Sequence, residues 1–305
     1  MLYNYNQLQA MNIASQETLL LKDINRRIDS FIPLEAWQST VGILIVIGTE
    51  LHQFGTGTLF RIADQCFIVT AGHVIKEAHK YDKSLCVTGP NCSFVRVHGN
   101  WICSAEGQYG TFVDPFDVAV LPLDSAAVDR LSDKLFLRLD DASFSKDLSS
   151  AIFCLFGYPA LLSQPSTNPD TRLLLKPFQY ATYAFEGPTD ALGGYQPRFH
   201  LLLGARLSES TDIDGKPISF RDRQGTPVEF PRGLRGISGC SVWKIGDRRR
   251  PMEEWNKKSP RIVAVQTSVY HDHQIIKATR WVAVSTLLHE AFPELRPAMA
   301  LWRVG

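Results

Sequence analysis

The sequence predicts an all-β chain arranged as barrels or a sandwich. From residue 41 onward, short runs rich in β-branched and aromatic residues recur between Gly and polar turns, with no long helices alternating between them. Seventeen Phe, 17 Pro and 21 Gly suit a chain of many strands and turns. Apolar residues at 45% and charged residues at 21% give both a core and a solvated surface, which excludes disordered, collagen-like and coiled-coil chains. At 305 residues the length fits about two domains.

Residues 1–38 read as an N-terminal helical extension. Leu20, Leu21, Ile24 and Ile28 share one face of a helix opened by Ser15 as N-cap and stopped before Pro33. The pattern then changes to a period of two. Strands are expected at 41–47, 57–62, 66–70, 85–88, 93–97 and 117–123. A polar connector follows over 124–150. The second set falls at 151–157 (stopped by Tyr158-Pro159), 172–184, 199–203, 241–245, 261–268 and 277–284. Two long loops, 205–235 and 246–260, interrupt it, and loops of that length usually carry function or disorder. A capped apolar helix over 285–292 precedes Pro293.

Composition removes several functions. Lys+Arg at 32 against Asp+Glu at 31 leaves a net charge of +1, so neither nucleic acid nor an anionic membrane is called for as partner. The apolar run 41–47 is far shorter than the roughly 20 residues a spanning helix needs. The first residues lack the basic and apolar regions of a secretory signal. The six Cys form no C-x-x-C pair and no metal-ligand rhythm, so reduced thiols and a cytoplasmic location are expected.

Three stretches carry reactive chemistry as a set. They are Val69-Thr-Ala-Gly-His-Val74, Phe116-Asp-Val-Ala-Val-Leu121 and Gly236-Ile-Ser-Gly239. A Ser hydroxyl attacks only when an imidazole takes its proton. That imidazole needs a carboxylate on its other nitrogen to fix the tautomer and stabilise the imidazolium. The tetrahedral oxyanion needs backbone N–H donors, and a Gly-flanked turn at Gly236 and Ser238 can supply them. Asp114 is a rival carboxylate close to Asp117.

On these residues the chain resembles the trypsin-like serine peptidases of the chymotrypsin fold, especially their bacterial members. The order His73, Asp117, Ser238 is the order of that family and not of subtilisins or α/β-hydrolases. Gly55-Thr-Gly-Thr-Leu-Phe60 looks like the strand before the histidine, and Thr70-Ala-Gly-His73 like the histidine motif. Phe156-Gly-Tyr-Pro159 looks like the opening of the second barrel, and Ile262-Val-Ala-Val265 with Gln-Thr-Ser268 like the substrate-pairing strand. The resemblance spans roughly residues 40–295. It implies two packed six-stranded β-barrels, the first over 39–140 with His73 and Asp117, the second over 141–305 with Ser238 and a C-terminal helix. It also implies Ser238 as nucleophile, His73 as general base and acid, Asp117 as orienter, and an oxyanion hole at Gly236 and Ser238. No metal or other cofactor is required, and the partner is a protein or peptide substrate, one dedicated partner protein included.

The chain departs from the family in places. Cys240-Ser241 stands where Gly-Pro is usual, and Cys adopts glycine's backbone angles only at a cost. Ile237 stands where secreted members carry the Asp that pairs with a newly cut N-terminus, so activation of that kind is not expected. The family's pocket floor falls on Arg232, with Arg235 close by; an Arg facing the pocket would favour acidic side chains. Thr267, Ser268 and Val269 are the expected substrate strand, with Val269 where Gly is frequent. His271-Asp-His273 reads as a hairpin tip, Arg248-Arg-Arg250 as a solvated loop, and Gly193-Gly194 lacks the context of a phosphate loop. The rival class is an inactive protease-fold interaction module that binds a peptide by strand addition in the inter-barrel cleft.

Overall fold

The structure is a computed structural model that describes residues 24, 27, 30–47, 50–80, 85–90, 93–104, 116–165, 173–205, 211–212, 234–256 and 260–300. The extended runs seen in the sequence form two antiparallel sheets. The first contains β1 (Thr40–Ile47), β2 (Glu50–Ile62), β3 (Gln65–Ala71), β4 (Leu85–Thr88), β5 (Phe94–Val97), β6 (Ile102–Cys103) and β7 (Val118–Pro122) in the order β5-β4-β1-β2-β3-β7-β6. After β8 (Ala151–Gly157), a small hairpin of β9 (Gln164–Pro165) and β10 (Leu173–Leu174) stands apart. The second sheet adds β11 (Phe178–Tyr183), β12 (His200–Gly204), β13 (Thr211–Asp212), β14 (Ser241–Asp247), β15 (Arg261–Tyr270) and β16 (Ile275–Arg280), ordered β12-β16-β15-β14-β8-β11-β13. Each sheet therefore has seven strands where six were expected. The additional member of each is a two-residue strand, β6 or β13, too short to leave a periodic signal.

Each sheet buries an interior of its own. The first encloses Val41, Ile43, Leu59, Ile68 and Leu121. The second encloses Leu155, Tyr180, Ile237, Cys240, Val242 and Ala278. A third cluster joins them: Phe60, Phe67 and Val120 of the first sheet pack with Phe156, Trp243 and Val265 of the second. Both ends of the described chain seal this seam. Trp37 of α1 (Leu34–Gln38) meets Phe156 edge-on at 4.7 Å, and Phe31 meets Trp255 at 5.0 Å. Within the expected 15–28 helix only Ile24 and Arg27 are described; both are helical, with Ile24 buried and Arg27 exposed.

Four local assignments differ from the sequence reading. A helix, α2 (Gly72–His79), follows β3 directly and buries Val74, Ile75 and Ala78. The connector 124–150 holds α3 (Ser125–Arg130), whose N-cap Asp124 accepts from Ala127 N. The expected strand 172–184 is divided between β10 and β11. The expected strand 277–284 ends at Arg280, because Trp281-Val-Ala-Val284 opens α4 (Trp281–Ala291). Two Val among four apolar residues mimic a strand, but Trp281, Val284 and Leu288 recur at helical spacing and are all buried. Trp281 packs on Phe60 and Phe292 on Phe67, so this helix fastens the second half of the chain to the first sheet. The last turn is α5 (Arg296–Met299).

The charged loop after β14 is largely paired with itself and its surroundings. Arg249 bonds Asp247, Arg248 bonds Glu186, and Arg27 bonds Glu253. The Arg249 guanidinium holds the Asp247 carboxyl well below the usual carboxylate range. His271–His273 form a short 3-10 turn at the β15–β16 hairpin tip. No group of three or more metal-ligating side chains occurs among the described residues. No described helix is long and apolar enough to cross a membrane.

Candidate active site

His73 is the second residue of α2, delivered by β3. Asp117 lies immediately before β7, which pairs with β3 so that Ala71 faces Val118. This register places the two side chains in contact. Asp117 Oδ2 lies 2.7 Å from His73 Nδ1, while Oδ1 accepts the His73 backbone N–H at 2.7 Å. Gly72 N–H donates to the Asp117 carbonyl at 2.7 Å. A Cβ on Gly72 would sit 3.0 Å from Asp117 Oδ1, so glycine permits this approach. Asp117 itself has φ +49°, a left-handed conformation that Asp tolerates better than most residues. It turns the carboxylate back over the start of α2. The His73 side chain is 44% exposed against 19% for Asp117, so the ring is held by the carboxylate at Nδ1 and stays partly open to solvent. Thr279 Oγ1 donates to the Phe116 carbonyl, and Phe116 meets Phe199 edge-on at 4.8 Å, tying this turn to the second sheet.

Ser238 sits in a double turn just before β14. Ile237 N–H donates to Leu234 O at 3.1 Å and Cys240 N–H to Ile237 O at 2.8 Å. Neither turn uses the N–H of Gly236 or of Ser238. Arg235 O accepts from Ala160 N–H at 2.7 Å. In a planar trans peptide the C=O and N–H point opposite ways. The Gly236 N–H is therefore aimed away from Ala160, and the Ser238 N–H away from Cys240. The left-handed steps fall on Gly236 (φ +97°) and Gly239 (φ +90°), not on Cys240.

The Ser238 turn is pressed onto the strand end that bears His73. A Cβ on Gly239 would lie 2.0 Å from Thr70 Oγ1 and 2.9 Å from Ala71 N. Gly55 is held between the two reactive segments: its Cβ would meet Val74 Cγ1 at 2.6 Å and Ser238 O at 3.1 Å. Only a missing side chain thus separates Ser238 from the residue after His73. Among the described residues no hydrogen bond joins the Ser238 hydroxyl to the His73 ring. Such bonds are often loose in free enzymes and tighten with substrate.

One sheet carries His73 and Asp117, the other is entered from Ser238, and the three residues lie where the two sheets meet. This is the two-barrel chymotrypsin-like fold. No protein-family model matches the chain, and neither does any curated protein. Among solved structures the chain is similar to the scabies mite inactivated protease paralogue S-I1, at 13% identity and TM-score 0.47, over 86% of this chain and 97% of that one. It is also similar to the thermostable serine protease AL20 from an extremophilic microorganism, at 11% identity and TM-score 0.48, over 85% and 98%. A Glu endopeptidase matches at 13% identity and TM-score 0.44, over 86% and 93%. At such identities and TM-scores these likenesses carry no argument about this chain's activity.

The remaining expected site residues divide. Arg232 and Asp114 lie outside the described residues, as does most of the loop 205–235. Arg235 is exposed at the rim of the turn. Thr267 is the bulged residue of β15 opposite β16, fully buried, with its hydroxyl facing that of Thr279. Ser268 and Val269 follow it, half-buried. Pairing of β14 with β15 ends at Ser241↔Val265. Cys240 is wholly buried beside Gly157, and burial pushes its thiol far up, so it stays protonated as a core side chain and does not compete with Ser238. Sequence reasoning passed over Gln53 and Thr56, which bond the Ser238 turn from β2. The Gly55-Thr-Gly-Thr run is the signal that marked their strand.

Proposed function

We propose that the chain is a serine endopeptidase in which Ser238, His73 and Asp117 form the reacting set. The carrying observation is the double grip of one carboxylate on His73, at ring and backbone, beside a Ser238 turn fitted to the same strand end. In this reading Asp117 keeps a proton on Nδ1, leaving Nε2 free to take the Ser238 proton as Oγ attacks the scissile carbonyl. The Gly236 and Ser238 N–H groups receive the oxyanion. His73 then passes its proton to the leaving amine as the C–N bond breaks, giving an acyl-enzyme on Ser238. Water, deprotonated by His73, hydrolyses that ester. The edge of β15 beyond Gln266 has no β14 partner, which suits pairing with an extended substrate along Thr267–Val269.

The test is labelling of full-length, unprocessed protein with a fluorophosphonate probe, followed by peptide mapping. Wild type is expected to carry the label on Ser238 and Ser238→Ala to carry none. An unlabelled wild type would return the chain to the binding-module reading. For specificity, the guanidinium of Arg235 at the rim favours acidic side chains next to the scissile bond. A peptide library varied at that residue should show Asp or Glu enriched; enrichment of Lys or Arg contradicts this.

A further inference from the structure

The peptides that flank the oxyanion donors are held in part from the opposite sheet. Four peptide carbonyls run through the turn, those of Arg235, Gly236, Ile237 and Ser238. Ala160 N–H holds the first and Cys240 N–H the third. Thr56 of β2 holds the other two: its hydroxyl donates to Gly236 O at 2.9 Å and its backbone N–H to Ser238 O at 2.8 Å. The same hydroxyl accepts from Tyr158 N–H at 3.0 Å, steadying the segment that brings Ala160 to Arg235. Gln53 supports this from three residues earlier on β2. Its amide nitrogen donates to Gly55 O at 2.7 Å and Tyr158 O at 2.9 Å, with Gly236 O at 3.4 Å. Three carbonyls around one amide end fix it as the NH2 end.

We propose that Thr56, buttressed by Gln53, is a positioning residue that locks the Gly236 and Ser238 N–H groups in their productive direction, so that a side chain of the first sheet completes the oxyanion hole of the second. The proposal rests on the serine-peptidase reading above. Thr56 is fully buried, and its hydroxyl spends its one hydrogen on Gly236 O and a lone pair on Tyr158 N–H. Burial keeps the remaining lone pair from substrate, so the residue acts only through the turn. Replacing the hydroxyl by a methyl group leaves the Gly236–Ile237 peptide held only by Ile237 N–H on Leu234 O and the longer Gln53 bond, so the link between the two donor peptides loosens.

The experiment uses p-nitrophenyl acetate on the full chain, following the acylation burst. Thr56→Val is expected to slow acylation about 10- to 100-fold, because small misplacements of catalytic groups cost on that order, while the apparent dissociation constant for the ester stays within about twofold. Thr56→Ser restores the rate to near wild type, and Gln53→Met gives a smaller loss in the same direction. Thr58→Val is the control: Thr58 is buried two residues along the same strand with its hydroxyl unpartnered among the described residues, so its removal leaves acylation unchanged. Acylation of Thr56→Val at the wild-type rate, or a loss that Thr56→Ser fails to restore, overturns the proposal. If wild type acylates at Ser238, those results strike the proposal alone. If wild type never acylates there, the serine-peptidase reading falls and the proposal with it.

Discussion

Asp117→Asn is expected to lower kcat by about 10⁴-fold with little change in KM or melting temperature. The carboxylate uses one oxygen on the His73 backbone N–H and the other on the ring. An Asn has only one oxygen. If the backbone N–H takes it, the new NH2 faces Nδ1 and forces that nitrogen to act as acceptor. The ring proton then moves to Nε2, where the base must be free. Asn also tolerates the φ of +49° at this position, so the variant isolates the chemistry from backbone strain. Steady-state kinetics on a cleaved peptide, with a thermal melt alongside, gives the answer. A loss below about tenfold would remove Asp117 from the orienting role.

Gly239→Ala is expected to abolish activity and to destabilise the fold by about 4 kcal/mol or more, in the range kept for severe steric or strain defects. The added Cβ would fall 2.0 Å from Thr70 Oγ1, 2.1 Å from Thr56 O and 2.9 Å from Ala71 N. Two of those three atoms are backbone of β2 and β3, which cannot retreat without opening the first sheet. The φ of +90° adds strain that any side chain would feel. Gly193→Ala makes the matched control, since a Cβ there meets nothing within 4 Å. Denaturant melts and peptidase assays of both variants should show the loss at 239 and none at 193. A stable, active Gly239→Ala protein would mean that the nucleophile turn is not clamped between the two sheets.

These expectations show which parts of the molecule were legible in its residues. Strands such as 151–157 and 261–268 announce themselves because a strand buried on both faces is a continuous apolar run bounded by turns. His73, Asp117 and Ser238 stood out as candidates for a different reason: three reactive residue types, each at a strand end or in a Gly-flanked turn, in one order. The choice of Asp117 over Asp114 rested on the strand it opens, and the β3–β7 register explains why that position meets the imidazole. Other features depended on distant partners. Trp281–Val284 became a helix because Phe60, far away in sequence, receives Trp281. The step at 72–79 was hidden because Val74, Ile75 and Ala78 need only one buried face over two turns. Thr56 and Gln53 look like ordinary strand residues. Their role exists only because carbonyls at 158 and 236, more than a hundred residues on, arrive at their side chains.

The most direct measurement is a crystal structure of the full chain after reaction with diisopropyl fluorophosphate. The account predicts phosphorus bonded to Ser238 Oγ, with one phosphoryl oxygen about 3 Å from both the Gly236 and the Ser238 nitrogens and His73 Nε2 turned toward the Ser238 oxygen. A phosphoryl group on another residue, or one on Ser238 whose oxygen reaches neither nitrogen, would contradict it.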